Sequence, residues 1–358
     1  MPERTPRAWI DVDLGALLRN ARRVAEHSQA RLIPIVKADA YGLGAVPVAR
    51  ALEAVDPFAF GVSSIVEGNE LRAAGIRRPI IIFTPTLPKD LAELRALGFV
   101  PTLDDAVGIR AWRALGGGDW HLAIDTGMNR AGARWDTIDC LVDALRACPP
   151  TGAFTHFHSA ELDDGSLEEQ ERHFAEALSR LPARPAFLHA DNSAAIVRRQ
   201  PSAWHGVRPG VFLYGVGSGA ALQPEPVVSL RARIMELRDV RAGETVSYDA
   251  TWRAATDRRI ATLACGYADG YRRNLGNRGH VILHGHAVPV AGLVTMDMTM
   301  IDVTDVPCAP GDVATLLGTD GTNELTAESV AQQANLSPYE LLTGLRQRLP
   351  RFYHGGAA

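Results

Sequence analysis

Short apolar runs and amphipathic stretches alternate along the first two-thirds of the chain. The runs begin near Leu32, Ala59, Ile80, Val100, His121, Ala153 and Ala186, and an eighth reaches Phe212. They are continuous rather than alternating in polarity, as expected of strands buried on both faces of a parallel sheet. Between several of them lie stretches with apolar residues at helical spacing, such as Glu67 to Ala74 and Leu167 to Leu181. After Trp9-Ile10-Asp11-Val12, Asp13 is placed to cap a helix carrying Leu14, Leu17, Leu18, Ala21, Val24 and Ala25 on one face. About eight strands over roughly 220 residues match an α/β fold with an N-terminal (β/α)8 barrel.

The pattern changes at Gln223-Pro224-Glu225-Pro226. Beyond it the polarity alternates with period two, in short strands separated by turns. Examples are Val228 to Ile234, the turn Ala242-Gly243-Glu244, Val281 to His286, Ala287 to Val303, and Val313 to Leu317 after the turn Pro310-Gly311-Asp312. One late helix, Thr326 to Ala334, interrupts them. The expected division is a barrel over residues 1–224 and a C-terminal mostly β domain over 225–358, with the N-terminal strand free to associate with the latter.

Composition narrows the function classes. A hydrophobic fraction of 46%, a charged fraction of 22% and a formal net charge of -4 are ordinary for a soluble globular protein. They leave no basic footprint for nucleic acid or an anionic membrane. No apolar run approaches the length of a membrane span, and the N-terminal residues lack the apolar core of a secretory signal. The four cysteines are scattered without a C-x-x-C pair, so they read as reduced thiols in a cytoplasmic protein, with no metal site.

The candidate chemistry sits at strand ends. Lys37 follows the strand Leu32-Ile33-Pro34-Ile35, where a barrel keeps its reactive groups. A lysine there can be partly desolvated and form a Schiff base with a carbonyl compound, although a lone strand-end lysine usually only snorkels to solvent. Tyr41, four residues on, can hold an anionic group of the same ligand. Arg130, in the loop Asp125-Thr126-Gly127-Met128-Asn129-Arg130, suits a carboxylate or phenolate. His156 ends another strand, Ser193 opens a helix where a phosphate can bind, and Arg208-Pro209-Gly210-Val211 offers a rigid arginine beside a close-approach glycine. Each alone has an ordinary structural explanation. Together they mark five strand ends of one barrel face, which is what a cofactor site requires.

In order and spacing these motifs resemble the alanine racemase family over essentially the whole chain. The residues that carry the resemblance are Val36 to Gly42, Asp125 to Arg130, Thr155-His156-Phe157, His189 with Asn192-Ser193-Ala194, Arg208 and Leu213-Tyr214-Gly215. Gly266-Tyr267-Ala268-Asp269-Gly270, Met296-Asp297 and Tyr339 complete the set. The resemblance implies interconversion of L- and D-alanine on pyridoxal 5'-phosphate, in a homodimer with shared active sites, of use in making cell-wall peptidoglycan. It implies that Lys37 carries the cofactor and is one acid/base group, and that Tyr267 of the partner subunit is the other. Arg208 would contact the pyridine nitrogen, and His156 would link Arg208 to Tyr267. Tyr41, Ser193, Tyr339, Gly210 and Val211 would hold the phosphate, while Arg130 and Met296 would face the substrate carboxylate and the cofactor's phenolic oxygen.

The roles agree with the chemistry of racemisation. A proton must leave one face of the α-carbon and return to the other, so two bases on opposite faces serve better than one. Lysine and tyrosine have similar ordinary pKa values near ten, and positive charge from Arg208 acting through His156 would favour the phenolate. Three positions depart from the family pattern. Ala123 stands where relatives carry a carbamylated lysine that steadies the arginine, so a bound anion such as chloride or a neighbouring side chain is expected to hold Arg130. Asp249 and Leu293 replace a more usual glycine and basic residue, which bears on substrate breadth. The rival readings are a broad-specificity racemase acting on serine or larger amino acids, and a non-enzymatic pyridoxal-phosphate homeostasis protein. The latter would lack the β domain that carries Tyr267.

Overall fold

The computed structural model describes residues 6–356. Eight short parallel strands build the N-terminal body: β2 (Arg31–Leu32), β3 (Phe60–Val62), β4 (Ile80–Ile82), β5 (Val100–Leu103), β6 (His121–Asp125), β7 (Gly152–Phe154), β8 (Phe187–His189) and β9 (Gly206–Val207). Their pairing runs β2-β9-β8-β7-β6-β5-β4-β3. The ends of that order also meet, because Phe58 N–H donates to Leu32 O at 2.8 Å and Ile35 bridges Gly61 in parallel. The sheet therefore closes into a barrel. All residues of β3 to β7 are buried, as a strand between an inner core and an outer helix layer must be.

Local signals place the helices. Asp13 accepts from Ala16 N–H at 2.9 Å and starts α1 (Leu14–Ser28), whose buried face includes Leu14, Leu17, Leu18, Ala21 and Val24. Ser64 and Glu67 form a reciprocal capping box on α2 (Ile65–Ala73). The stretch expected from Leu167 to Leu181 is α3 (Ser166–Ser179). The eighth strand stops short of the expected run to Phe212. Arg208 N–H still bonds Asp191 O as a last rung, but Pro209 has no N–H to give and Val211–Tyr214 coils into a 3-10 turn.

The second sheet is mostly antiparallel. Its long strand β10 (Val228–Val240) alternates buried and half-buried residues as far as Ile234, is mostly exposed beyond it, and pairs with β1 (Ala8–Asp13) in the register Ala8↔Ala232 to Val12↔Val228. The chain's first strand thus lies in the C-terminal sheet, and β1 also pairs in parallel with the last strand, Arg351–His354. A bulge between Ile234 and Glu236 bends β10 so that its far half pairs with β11 (Arg258–Leu263). Two late helices are found where one was expected: α5 (Ala327–Gln333) after α4 (Ser193–Arg198) in chain order, and then α6 (Pro338–Thr343).

Candidate active site

Lys37 stands where the first barrel strand ends. Val36 N–H still bonds Gly61 O at 2.9 Å, and the backbone then reverses its hand. Ala38, Asp39, Ala40 and Tyr41 have φ of 53°, 55°, 52° and 58°, a left-handed turn of four non-glycine residues. Such a conformation costs roughly 1–2 kcal/mol per residue, so the surroundings must hold it. Asp39 Oδ1 accepts from Ala45 N–H at 2.7 Å, Glu67 Oε1 from Ala38 N–H at 2.8 Å, and Arg351 Nη2 donates to Gly42 O at 2.8 Å. Partial burial and the charge of Arg130 lower the Lys37 pKa, while Glu67 opposes them. The amine is thereby moved toward the neutral, nucleophilic form.

A cavity of about 380 Å³ opens at this end of the barrel, lined by Lys37, Phe83, Ala123, Arg130, His156 and Asp104 among others. Arg208 lies buried beneath it. Its Nη1 donates to His189 O (2.7 Å) and His189 Nδ1 (2.8 Å), and its Nη2 to Thr155 O (2.6 Å), Ala190 O (2.8 Å) and His156 Nδ1 (3.3 Å). Among the described residues Nε has no acceptor, so one donor of the guanidinium is left for a ligand. Burial draws the Arg208 pKa down to about 9, with Asp191 opposing, and the group stays charged at neutral pH.

That charge fixes the neighbouring imidazoles. Arg208 donates to His189 Nδ1, so the His189 hydrogen is on Nε2 and is given to His121 Nδ1 at 2.8 Å. Burial, then Arg208, pulls His121 down to about 3, and His189 well below its ordinary value. His156 falls to about 3 through burial, Arg208, Arg130 and Lys37. It is neutral, accepts from Arg208 at Nδ1, and among the described residues its Nε2–H has no acceptor.

A polar cradle is built largely from residues close to Lys37 and Arg208 in sequence that do not line this cavity. Ser193 Oγ accepts from Gly210 N–H at 3.0 Å and Phe212 N–H at 3.4 Å. A Cβ on Gly210 would stand 2.6 Å from the Tyr41 hydroxyl, so the glycine permits the approach of backbone to phenol. Tyr41 packs on Tyr214 with ring centroids 4.8 Å apart, Tyr339 lies 6.2 Å from the Tyr41 ring, and Val211 is buried at the start of the adjoining turn.

The loop that carries Arg130 is pinned at both ends. Asp125 Oδ1 accepts from Gly127 N–H (2.9 Å) and Asn129 N–H (3.1 Å), and Asp104 Oδ2 accepts from Gly132 N–H (3.0 Å). Among the described residues no side chain bonds the Arg130 guanidinium, so no neighbour takes the place left by Ala123.

Tyr267 and Met296 do not line this cavity within one chain. They stand side by side on two loops that follow and precede strands of the C-terminal sheet, where Tyr267 N–H donates to Thr295 O at 2.9 Å and Ala268 N–H to Met296 O at 3.0 Å. Both are exposed, at 38% and 52%. Buried Asp269, paired with Arg7 and Arg348 at 2.9 Å each, braces their loop.

The family model described as "Alanine racemase, N-terminal domain" matches residues 12–218, and "Alanine racemase, C-terminal domain" matches 227–353. The chain belongs to the alanine racemase family. It is 37% identical to an alanine racemase of Sorangium cellulosum, over 94% of this chain and 97% of that protein. The crystal structure of alanine racemase from Bacillus anthracis with bound L-Ala-P is similar with a TM-score of 0.90 and 31% identity, covering 99% of this chain and 97% of that one. Alanine racemase from Bartonella henselae with covalently bound pyridoxal phosphate matches with a TM-score of 0.90 and 28% identity, covering 98% and 100%.

Within this family, Lys37, Arg130 and His156 line the cavity above Arg208, while Tyr41, Ser193, Gly210 and Val211, all but Ser193 close in sequence to Lys37 or Arg208, form a separate cluster that does not line it. Glu67, Asp104, His121 and His189 were not among the expected site residues. The pair Ser64 and Glu67 carried a capping-box signal, and Ser337-Pro338-Tyr339-Glu340 carried the same signal for α6. Nothing local could have announced a bond between His121 and His189, 68 residues apart.

Proposed function

We propose that this chain interconverts L- and D-alanine with pyridoxal 5'-phosphate held in the barrel mouth, as a cytoplasmic homodimer. The residues present fit that cofactor. The Gly210 cradle beside Tyr41 and Ser193 accommodates a phosphate, Nε of Arg208 is free for a ring nitrogen, and Lys37 has a lowered pKa. The convergence of Lys37, Arg208 and the Gly210 cradle on one barrel end is the observation that carries the reading.

Pyridoxal phosphate, when bound, supplies the conjugated ring that receives the electron pair left by the departing α-proton. Lys37 holds the cofactor and moves the proton on one face through Nζ. Tyr267 of the partner subunit moves it on the other through its hydroxyl, since one chain alone leaves that ring exposed and outside the cavity. His156, held by Arg208 at Nδ1, donates from Nε2 toward that hydroxyl and orients it. Arg208 keeps its own proton and so withholds it from the ring nitrogen, which restrains the ring as an electron sink. Arg130 and the backbone of Met296 of the partner subunit orient the substrate carboxylate and the cofactor's phenolic oxygen. In this division residues 1–224, joined by Tyr339, bind the cofactor, and the rest of residues 225–358 complete the neighbour's site.

Optical rotation of L-alanine incubated with the cofactor-loaded protein tests the reaction. Decay to zero is expected, and Lys37→Ala should abolish it. Retained rotation with wild-type protein refutes the proposal. Relative rates on alanine, serine and lysine separate an alanine enzyme from a broad-specificity racemase.

A further inference from the structure

The Glu67 carboxylate is used on both sides. Oε2 accepts from Ser63 N–H (2.7 Å), Ser63 Oγ–H (2.8 Å) and Ser64 N–H (3.1 Å), while Oε1 accepts from Ala38 N–H (2.8 Å). The Glu67 amide returns to Ser64 Oγ at 3.2 Å. A capping box needs only the exchange with Ser64. The bond to Ala38 lies outside it, and Ala38 is the first left-handed residue after Lys37.

We infer that Glu67 is a positioning residue for Lys37, clamping the left-handed turn to α2 and setting a negative charge toward the amine. This rests on the proposed role of Lys37. The charged and titratable groups facing the amine are Arg130 from the loop after β6, Glu67 from α2 and His156 from the end of β7. Asp104 and Asp125 share the cavity wall. Burial and Arg130 favour the neutral amine, and Glu67 favours the protonated one. Glutamine cannot replace this carboxylate. With its oxygen turned to the three donors of Ser63 and Ser64, its NH2 would meet Ala38 N–H, so Glu67→Gln keeps the cap and cuts the clamp.

The chain has two lysines, Lys37 and Lys89, which makes the test clean. Competitive acetic anhydride labelling of the full chain, stripped of cofactor and read by mass spectrometry, gives the pH at which Lys37 turns nucleophilic. Exposed Lys89 serves as internal standard. Glu67→Gln should move the Lys37 midpoint down by about half a unit or more. Reloaded with pyridoxal phosphate, it should lose about tenfold in kcat while keeping KM within about twofold. Glu67→Asp restores the charge and should return the midpoint toward wild type. Ser64→Ala leaves the Ala38 bond and should lower only the thermal midpoint. A Lys37 midpoint unmoved in Glu67→Gln, or moved equally in Glu67→Asp, overturns the inference and leaves Glu67 a helix cap. A shifted midpoint in a chain whose wild type does not racemise alanine supports the inference while refuting the proposed reaction, so the two failures read apart.

Discussion

Acidification should unfold this protein through three imidazoles. His121 and His156 are each held at about 3 against an ordinary 6.5, and His189 lies well below that value, first by burial and then by the Arg208 charge. Above pH 6.5 neither folded nor unfolded chain protonates them, and their full contribution to stability is in place. As pH falls below 6.5 the unfolded chain takes up protons that the folded chain refuses, and stability is lost progressively until the pH nears 3. From pH 7 to about 5.5 each imidazole removes on the order of 1 kcal/mol, so the three together remove a few kcal/mol. That is a large share of a typical stability of about 5–15 kcal/mol. Asp104 and Asp191, whose pKa values burial raises, act in the opposite sense and flatten the slope at the acid end. Urea unfolding at both pH values, at one protein concentration, measures the difference. His121→Asn should reduce the slope by one proton. A stability change below about 1 kcal/mol between the two pH values would refute the assignment of three neutral buried imidazoles.

Gly210→Ala places a Cβ 2.6 Å from the Tyr41 hydroxyl and should weaken pyridoxal phosphate binding about tenfold or more, read by titration of the visible absorption. Gly132→Ala, at φ 115° with its Cβ 2.7 Å from Asp125 N, should displace the Arg130 loop and raise KM for alanine more than it lowers kcat. With no side chain bonded to Arg130 among the described residues, KM for alanine should fall when chloride replaces gluconate in the buffer; equal values in both would remove the bound-anion account. Inactive Lys37→Ala and Tyr267→Ala chains, mixed and allowed to exchange subunits, should regain about a quarter of wild-type activity if each site draws on two chains. No recovery in verified mixed dimers would exclude that arrangement.

Much of the barrel was legible in the chain itself, because a strand buried on both faces must be continuously apolar and the residues from Leu32 to Ala186 repeat such runs with amphipathic helices between them. The cap at Asp13 and the strand-end positions of Lys37, His156 and Arg208 follow from the same local rules. What only the tertiary structure decided is where distant groups meet. β1 joins the C-terminal sheet because its alternating face matches β10, more than 200 residues away, a choice that its own sequence leaves open. The left-handed turn at Ala38 to Tyr41 runs against the intrinsic preference of each of its residues; the local bond from Ala45 to Asp39 helps it, but Glu67 and Arg351 hold it through contacts that exist only in the folded chain. The chain of hydrogen bonds from Arg208 through His189 to His121 likewise depends on the folded barrel bringing β6, β8 and β9 together, with β7 between the first two. Local pattern encodes which residues are buried, whereas partner, tautomer and charge state are set by whatever the closed fold places beside them.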